Sequence, residues 1–193
     1  MNFSPWLQFA FFTALAAGFS VAGEHPTSNW TKRAPLPTGE DITAISHVEG
    51  LTVVATSEPK VLTSSDLATF EAIPTGLPGG FTDIAFSGGK WFASGQHIYR
   101  STALASWELI LEAENEDVEF EHVFAEGSFL FATFTERSYP GRPSPNQRLF
   151  RSSDAGDSWD EMAGAPPARD YHDLLFAKGK YFLAGAGTPL GNG

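Results

Sequence analysis

The stretch Ser152-Ser153-Asp154-Ala155-Gly156-Asp157-Ser158-Trp159 reads S-x-D-x-G-x-x-W and decides how the rest of the chain is divided. Each specified position has a turn-forming reason. A Ser hydroxyl and an Asp carboxylate bond local backbone N–H groups, Gly supplies a left-handed residue, and Trp anchors the following strand. Two degraded copies lie upstream. Ser64, Asp66 and Phe70 keep the Ser, the Asp and the aromatic in a turn one residue shorter, while Ser101 and Trp107 keep only the ends. A repeated hairpin turn implies a repeated sheet.

Two markers give the period. The aromatics after each turn, Trp30, Phe70, Trp107 and Trp159, are 40, 37 and 52 residues apart. A glycine turn before an apolar strand recurs at Gly50, Gly89, Gly127 and Gly179, with spacings of 39, 38 and 52. The long interval holds the Pro- and Gly-rich insertion 135–147, which includes Arg137 and Tyr139. Short β-branched and aromatic runs between these turns predict four strands per unit, and no 3.6-residue periodicity competes. Units of about forty residues with four strands predict an all-β chain, a β-propeller of four-stranded blades. The units span about 41–73, 81–111, 118–162 and 170–193, within a propeller region 28–193. An isolated D-type strand near Trp30 and an incomplete last unit give about three complete blades plus partial ones, which reads as part of a longer propeller.

Composition agrees with a turn-rich β-protein: 19 glycines and 13 prolines stand in 193 residues. The balance of 12 basic against 23 acidic residues, a formal charge of −11, repels nucleic acid. Residues 2–23 carry no charge, and Ser20-Val21-Ala22 places small residues at the −3 and −1 positions of a cleavage site. Residues 1–23 therefore read as a secretory signal peptide, giving a secreted or periplasmic protein with no membrane span once it is removed. Without any cysteine the fold has no disulfide staple.

At these residues the sequence resembles the Asp-box (BNR-repeat) β-propellers of the sialidase superfamily. The likeness rests on the full box, Ser152, Asp154, Gly156 and Trp159, and on the G-x-aromatic-aromatic strands such as Gly89-Lys90-Trp91-Phe92. The resemblance covers roughly residues 28–187 and implies a propeller fold shared by sialidases, other glycosidases, sorting-receptor ectodomains and photosystem assembly factors. Sialidase chemistry in that family uses an Arg triad, a Tyr–Glu nucleophile pair and an Asp acid. The nearest text to its first Arg motif, Lys32-Arg33-Ala34-Pro35, lacks the aromatic and the Ile, and the remaining arginines have no family context. The resemblance therefore implies a carbohydrate- or protein-recognition module. The alternatives are an exo-sialidase-like glycoside hydrolase with catalytic residues partly outside this chain, and a structural propeller like the photosystem assembly factors. No cofactor and no metal is expected.

The box residues read as structural, because C-to-D turns lie on the face opposite the ligand face of a propeller. Strand A lines the central channel. Counting six back from each turn glycine gives Ala44, Asp83, Glu121 and Asp173, three acids at one repeat position. The cluster Arg169, Tyr171, His172 and Asp173 concentrates groups suited to acid–base work or carboxylate binding. Strand alternation predicts that His172 and Asp173 face opposite ways. His122, aligned with the apolar Ile45, Ile84 and Leu174, reads as a between-blade packing residue with one polar partner. Arg137 and Tyr139 are candidates for a recognition loop, and the partner class is a glycan or protein ligand on the loop face. If the signal is processed as read, intact-mass measurement of exported protein gives a mature chain beginning near Gly23 or Glu24. Retention of Met1 in the exported form would remove that assignment.

Overall fold

The second strand of each unit breaks the alternation expected of a half-buried sheet: Val53-Val54-Ala55, Trp91-Phe92-Ala93 and Leu130-Phe131-Ala132 are apolar at consecutive positions. Such a run is stable only where both faces of the sheet are covered. A computed structural model describes residues 39–136, 147–163, 165 and 168–187, and it shows how they are covered. The signal segment, Trp30, Arg33, Arg137, Tyr139 and 188–193 lie outside the described residues, as does the side chain of Arg169.

The strands are β1 (Ile42–Val48), β2 (Leu51–Thr56), β3 (Lys60–Ser64), β4 (Glu71–Pro74), β5 (Asp83–Ser87), β6 (Lys90–Ser94) and β7 (Ile98–Ser101). They continue as β8 (Glu108–Leu111), β9 (Val118–Glu126), β10 (Phe129–Glu136), β11 (Arg148–Ser152), β12 (Asp160–Glu161), β13 (Ala168–Ala177) and β14 (Lys180–Gly187). Among the described residues they form three antiparallel four-stranded meanders, β1–β4, β5–β8 and β9–β12, and the hairpin β13–β14. Each sheet keeps sequence order, and the first strand of each sheet packs beside the first strand of the next. No helix among the described residues is long and apolar enough to cross a membrane.

Three apolar clusters sit between consecutive sheets. Val53, Ala55 and Val61 of the first blade meet Phe81, Ile84, Trp91, Ala93 and Tyr99 of the second. Phe92 and Ile98 of the second meet Phe120, Val123, Leu130 and Ala132 of the third, and Phe131 and Leu149 of the third meet Tyr171 and Leu174 of the hairpin. Strands β6 and β10 are thus sandwiched, which accounts for their unbroken apolar runs. The aromatics two residues before Asp83, His122 and Asp173, namely Phe81, Phe120 and Tyr171, are at most 2% exposed and plug these junctions.

The C-to-D turn of the third blade adds a polar clamp to the same junction. Arg100 of the second blade donates to Ala155 O at 2.9 Å and to Asp157 Oδ1 at 2.6 Å. It also holds Glu108 Oε2 from Nε at 3.1 Å and from Nη2 at 2.9 Å. These partners, Asp157 first, push the already high guanidinium pKa further up. Beside the clamp, Gly156 (φ +90°) lies against Phe92 and Ile110, and an added Cβ would stand 2.5 Å from Ile110 Cδ1. Gly is needed there for its backbone conformation and for the close approach. Gly156→Ala is expected to lower unfolding stability by about 1–3 kcal/mol. Denaturant titration checks this, and pairing the change with Ile110→Ala should recover only the contact part, since the left-handed φ remains unfavourable.

Candidate functional site

The first strands share an irregularity at the same register. In β1 the pairing skips Thr43, in β9 it skips Glu121, and in β13 it skips His172. In the second blade Asp83 pairs with Ser94, and the Thr82 N–H still reaches Ser94 O at 2.9 Å, so two residues again oppose one. Such a bulge re-aims side chains and breaks alternation. The irregularity at His172 interrupts the alternation that would set His172 and Asp173 on opposite faces, and both residues border the same cavity.

The register also corrects the counting of equivalent positions. The first hairpin turns on Glu49-Gly50, the second on Gly88-Gly89 and the last on Lys178-Gly179. The third turns on Gly127-Ser128, with Glu126 paired to Phe129. Its glycine is therefore the first turn residue and not the second. Cross-strand partners Ala44↔Ala55, Asp83↔Ser94, His122↔Thr133 and Asp173↔Ala184 show that His122, not Glu121, shares the position of Asp83 and Asp173. Val123 takes the place beside Ile45, Ile84 and Leu174 that the sequence alignment gave to His122. A count made across the hairpin, rather than back from the glycine, would have found this.

The first strands enclose an open cavity of about 560 Å³. Its polar lining includes Thr43, Thr82, Asp83, His122, His172 and Asp173, with Ser46 and Glu126 further along the strands. Asp83 accepts the Ile84 N–H at 2.7 Å through Oδ1 and the Val123 N–H at 3.2 Å through Oδ2, tying the second blade to the third. His122 Nδ1 lies 3.5 Å from Asp83 Oδ2, and its ring stacks on Phe124 at 5.7 Å between centroids. Asp173 Oδ1 accepts the Leu174 N–H at 2.8 Å. Both carboxylates are held by backbone donors, so their remaining lone pairs face a fixed direction. No three His, Asp or Glu side chains among the described residues converge as metal ligands.

The other candidates sit elsewhere. Glu121 pairs with Gln147, whose amide also donates to Thr135 Oγ1 at 2.6 Å and accepts the Tyr171 N–H. It serves the junction between the third blade and the hairpin. Tyr171 is 2% exposed and packs with Phe131, Leu149 and Leu174, and this burial pushes its phenol pKa up. Thr43 and Thr82, which sequence reading missed, each donate across a junction, to Phe81 O at 2.7 Å and to Phe120 O at 2.8 Å.

In the turn that opened the sequence, Asp154 Oδ1 accepts from Ser152 Oγ at 2.8 Å and from the Ser158 N–H at 2.9 Å, and Oδ2 accepts from Ser158 Oγ at 2.5 Å. The Gly156 N–H donates to Ser152 Oγ at 2.9 Å. Asp66 does the same work for Ser64, Ala68 and Thr69, with distances of 2.8–3.0 Å. In the second blade Ser101 Oγ accepts the Leu104 N–H at 2.8 Å, and Trp107 Nε1 donates to Leu104 O at 2.7 Å. The residue three after each Ser is left-handed without being Gly: Leu67 (φ 57°), Leu104 (φ 63°) and Ala155 (φ 58°).

No protein-family model and no curated protein matches the chain. Among solved structures it is similar to an ancestral GH74 enzyme, with a TM-score of 0.56 and 14% identity over 68% of this chain. The chain spans about one fifth of that enzyme, 21% of its length. It also aligns with the computationally designed Ika4 protein (TM-score 0.49, 8% identity, 78% of this chain and 94% of that one). A third alignment is with YCF48 bound to D1 peptide (TM-score 0.36, 18% identity, 75% and 61%). With the sheet order above, the GH74 likeness identifies the fold as part of a β-propeller.

The turn carboxylates make stability depend on acid. Hydrogen bonds from Ser158, side chain then backbone, and from Ser152 lower the Asp154 pKa from 3.8 to about 2, and Asp66 lies below the usual range for the same kind of reason. A lowered folded-state pKa contributes stability that is full above the unfolded value and is lost as pH falls through the folded one. Melting temperature is therefore expected to fall between about pH 4 and pH 2. Asp154→Asn should melt lower at pH 7 and flatten that acid slope; an unchanged slope would remove the turn as its source.

Proposed function

We propose that the chain is an exported recognition module of the Asp-box propeller type that binds a neutral, hydroxyl-rich carbohydrate in the cavity at the first strands. The convergence of Asp83, His122, His172 and Asp173 from three successive units carries the reading. A sugar hydroxyl both donates and accepts. Carboxylates supply acceptors, and a neutral imidazole supplies one of each. Because backbone N–H groups already fix Asp83 and Asp173, little ordering cost falls on binding. The stacked His122–Phe124 pair adds an apolar flank for the face of a sugar ring.

The described lining contains acids and histidines but no arginine. Arg100 and Arg148 are engaged on the outer strands, Arg148 with Glu114 at 3.0 Å and Glu161 at 2.8 Å. This favours an uncharged ligand over a carboxylated one such as a sialoside, and binding over sialidase-type hydrolysis. The Asp-box assignment draws its support from the Ser-anchored turns in three blades, and export from the uncharged 2–23 segment.

Asp173→Asn and His122→Gln are the variants of choice, because Asp83 also holds the blade junction. On a glycan array with follow-up calorimetry, Asp173→Asn is expected to weaken carbohydrate binding by about ten- to a hundredfold, the cost of a hydrogen bond to a charged group, and His122→Gln by about two- to tenfold, that of a neutral one. Melting temperature should barely change. Binding retained in both variants, or no carbohydrate signal from the parent protein, would defeat the proposal.

A further inference from the structure

We propose that the C-to-D turn of the second blade binds a carboxylate supplied by another molecule, seated where the other two turns carry an aspartate of their own. The turn Ser101-Thr102-Ala103-Leu104-Ala105-Ser106-Trp107 aligns without a gap on Ser64-Ser65-Asp66-Leu67-Ala68-Thr69-Phe70 of the first blade. Both place a left-handed Leu three after the Ser, Leu67 at φ 57° and Leu104 at φ 63°. In both, the Ser Oγ accepts the N–H of that Leu, at 2.9 Å and 2.8 Å. The two turns are thus built alike, but Ala103 stands in the place of Asp66.

In the first blade Asp66 Oδ1 accepts from the Ala68 and Thr69 N–H groups, each at 2.8 Å, and from Ser64 Oγ at 3.0 Å. Its Oδ2 accepts from Thr69 Oγ1 at 2.8 Å. These donors, the Thr69 N–H first, hold the Asp66 pKa well below the usual carboxylate range, so the turn favours an anion at that point. The second blade keeps the donor types. Ser101 Oγ stands for Ser64 Oγ, and Ser106 offers the N–H and the hydroxyl that Thr69 offers. Neither Ser106 group has an acceptor among the described residues. The Ala105 N–H bonds Ala103 O at 2.7 Å, so three donors rather than four remain for a guest.

A cavity of about 310 Å³ opens at this turn, with Ala103, Ser106, Trp107 and Lys90 in its lining, and it shares no residue with the cavity at the first strands. Lys90 is an independent sign of the same ligand class. It is the first residue of its blade's second strand, a place held by Leu51 in the first blade and Phe129 in the third. Those two blades carry their own turn Asp. The Lys90 ammonium forms no ion pair with another described residue. Arg100 adds positive charge to the lining, although its donors are committed to Glu108, Asp157 and Ala155 O. Glu108, which also borders the cavity, is held by Arg100 at 2.9 and 3.1 Å. The volume exceeds what a lone carboxylate fills, and Trp107 offers an apolar flank to the carbon chain that bears it.

Acetate and N-acetyl-aspartate amide are the probes, the first standing for a free small acid and the second for an acidic side chain of a protein. Each is titrated into the full chain at pH 7 and constant ionic strength, with the Ser106 amide followed by NMR. The expected result is a saturable shift with a dissociation constant on the order of 1–100 mM, as three exposed hydrogen bonds allow. Tighter binding of the aspartyl probe assigns the site to a protein ligand, and tighter binding of acetate assigns it to a small acid. Ala103→Asp supplies the missing acceptor, so it should melt above the parent and lose both shifts. Lys90→Leu, which installs the first blade's residue, should weaken binding about two- to fivefold. No shift with either probe, a shift that sodium chloride alone reproduces, or one that persists in Ala103→Asp would overturn the proposal.

Discussion

The insertion of one unit's apolar second strand into the next unit's face is the interaction on which the rest of the structure depends. Phe92 and Phe131 are fully buried between sheets rather than within one. Each such side chain contributes on the order of 1.5–3 kcal/mol by leaving water. A four-stranded sheet this small has no core of its own, so stability is shared between neighbours, as in other repeat arrays. With no disulfide available, this packing is supplemented by polar ties at the ends of the junctions, Thr43 and Thr82 at one end and Arg100 at the other.

The cavity is a by-product of that stacking made specific by the bulges. Stacked sheets bring their first strands together, but strict alternation would offer only every second residue to the space between them. The irregularities at Thr43, Thr82, Glu121 and His172 interrupt that alternation where the first strands border the cavity. At Thr82 and Glu121 the bulge residue ties the junction while the next residue, Asp83 or His122, borders the cavity; at 172–173 both residues border it. Structure and site are served by adjacent positions.

The blade repeat was legible because its signals are local: a Ser-anchored turn, a glycine turn and an apolar second strand, each set by a few neighbouring residues. The cavity was only half legible. Asp83 and Asp173 stood out as acids at one repeat position, but His122 was hidden by the shift from Glu49-Gly50 to Gly127-Ser128, a one-residue change that moves every partner along the hairpin. The bulges were not legible either, because they depend on pairing between strands and have no composition of their own. Tyr171 looked functional beside His172, yet its register equals that of Phe81 and Phe120, both buried plugs.

Acceptor counting separates the acids that build the fold from those able to serve a ligand. A carboxylate has about four lone-pair directions. Asp154 commits three of them within its own turn, to Ser152 and twice to Ser158, and Asp66 is used as heavily. Such a group sits exposed on the surface and still has little left to offer. Asp83 uses its oxygens for two backbone N–H groups and faces His122, which leaves it partly available. Asp173 commits one oxygen to Leu174 and is exposed in the cavity. Polar side chains are dense at 152–158, but their hydrogen-bonding capacity is largely spent within the turn, whereas Asp173, bordering the cavity, commits one oxygen to a backbone N–H.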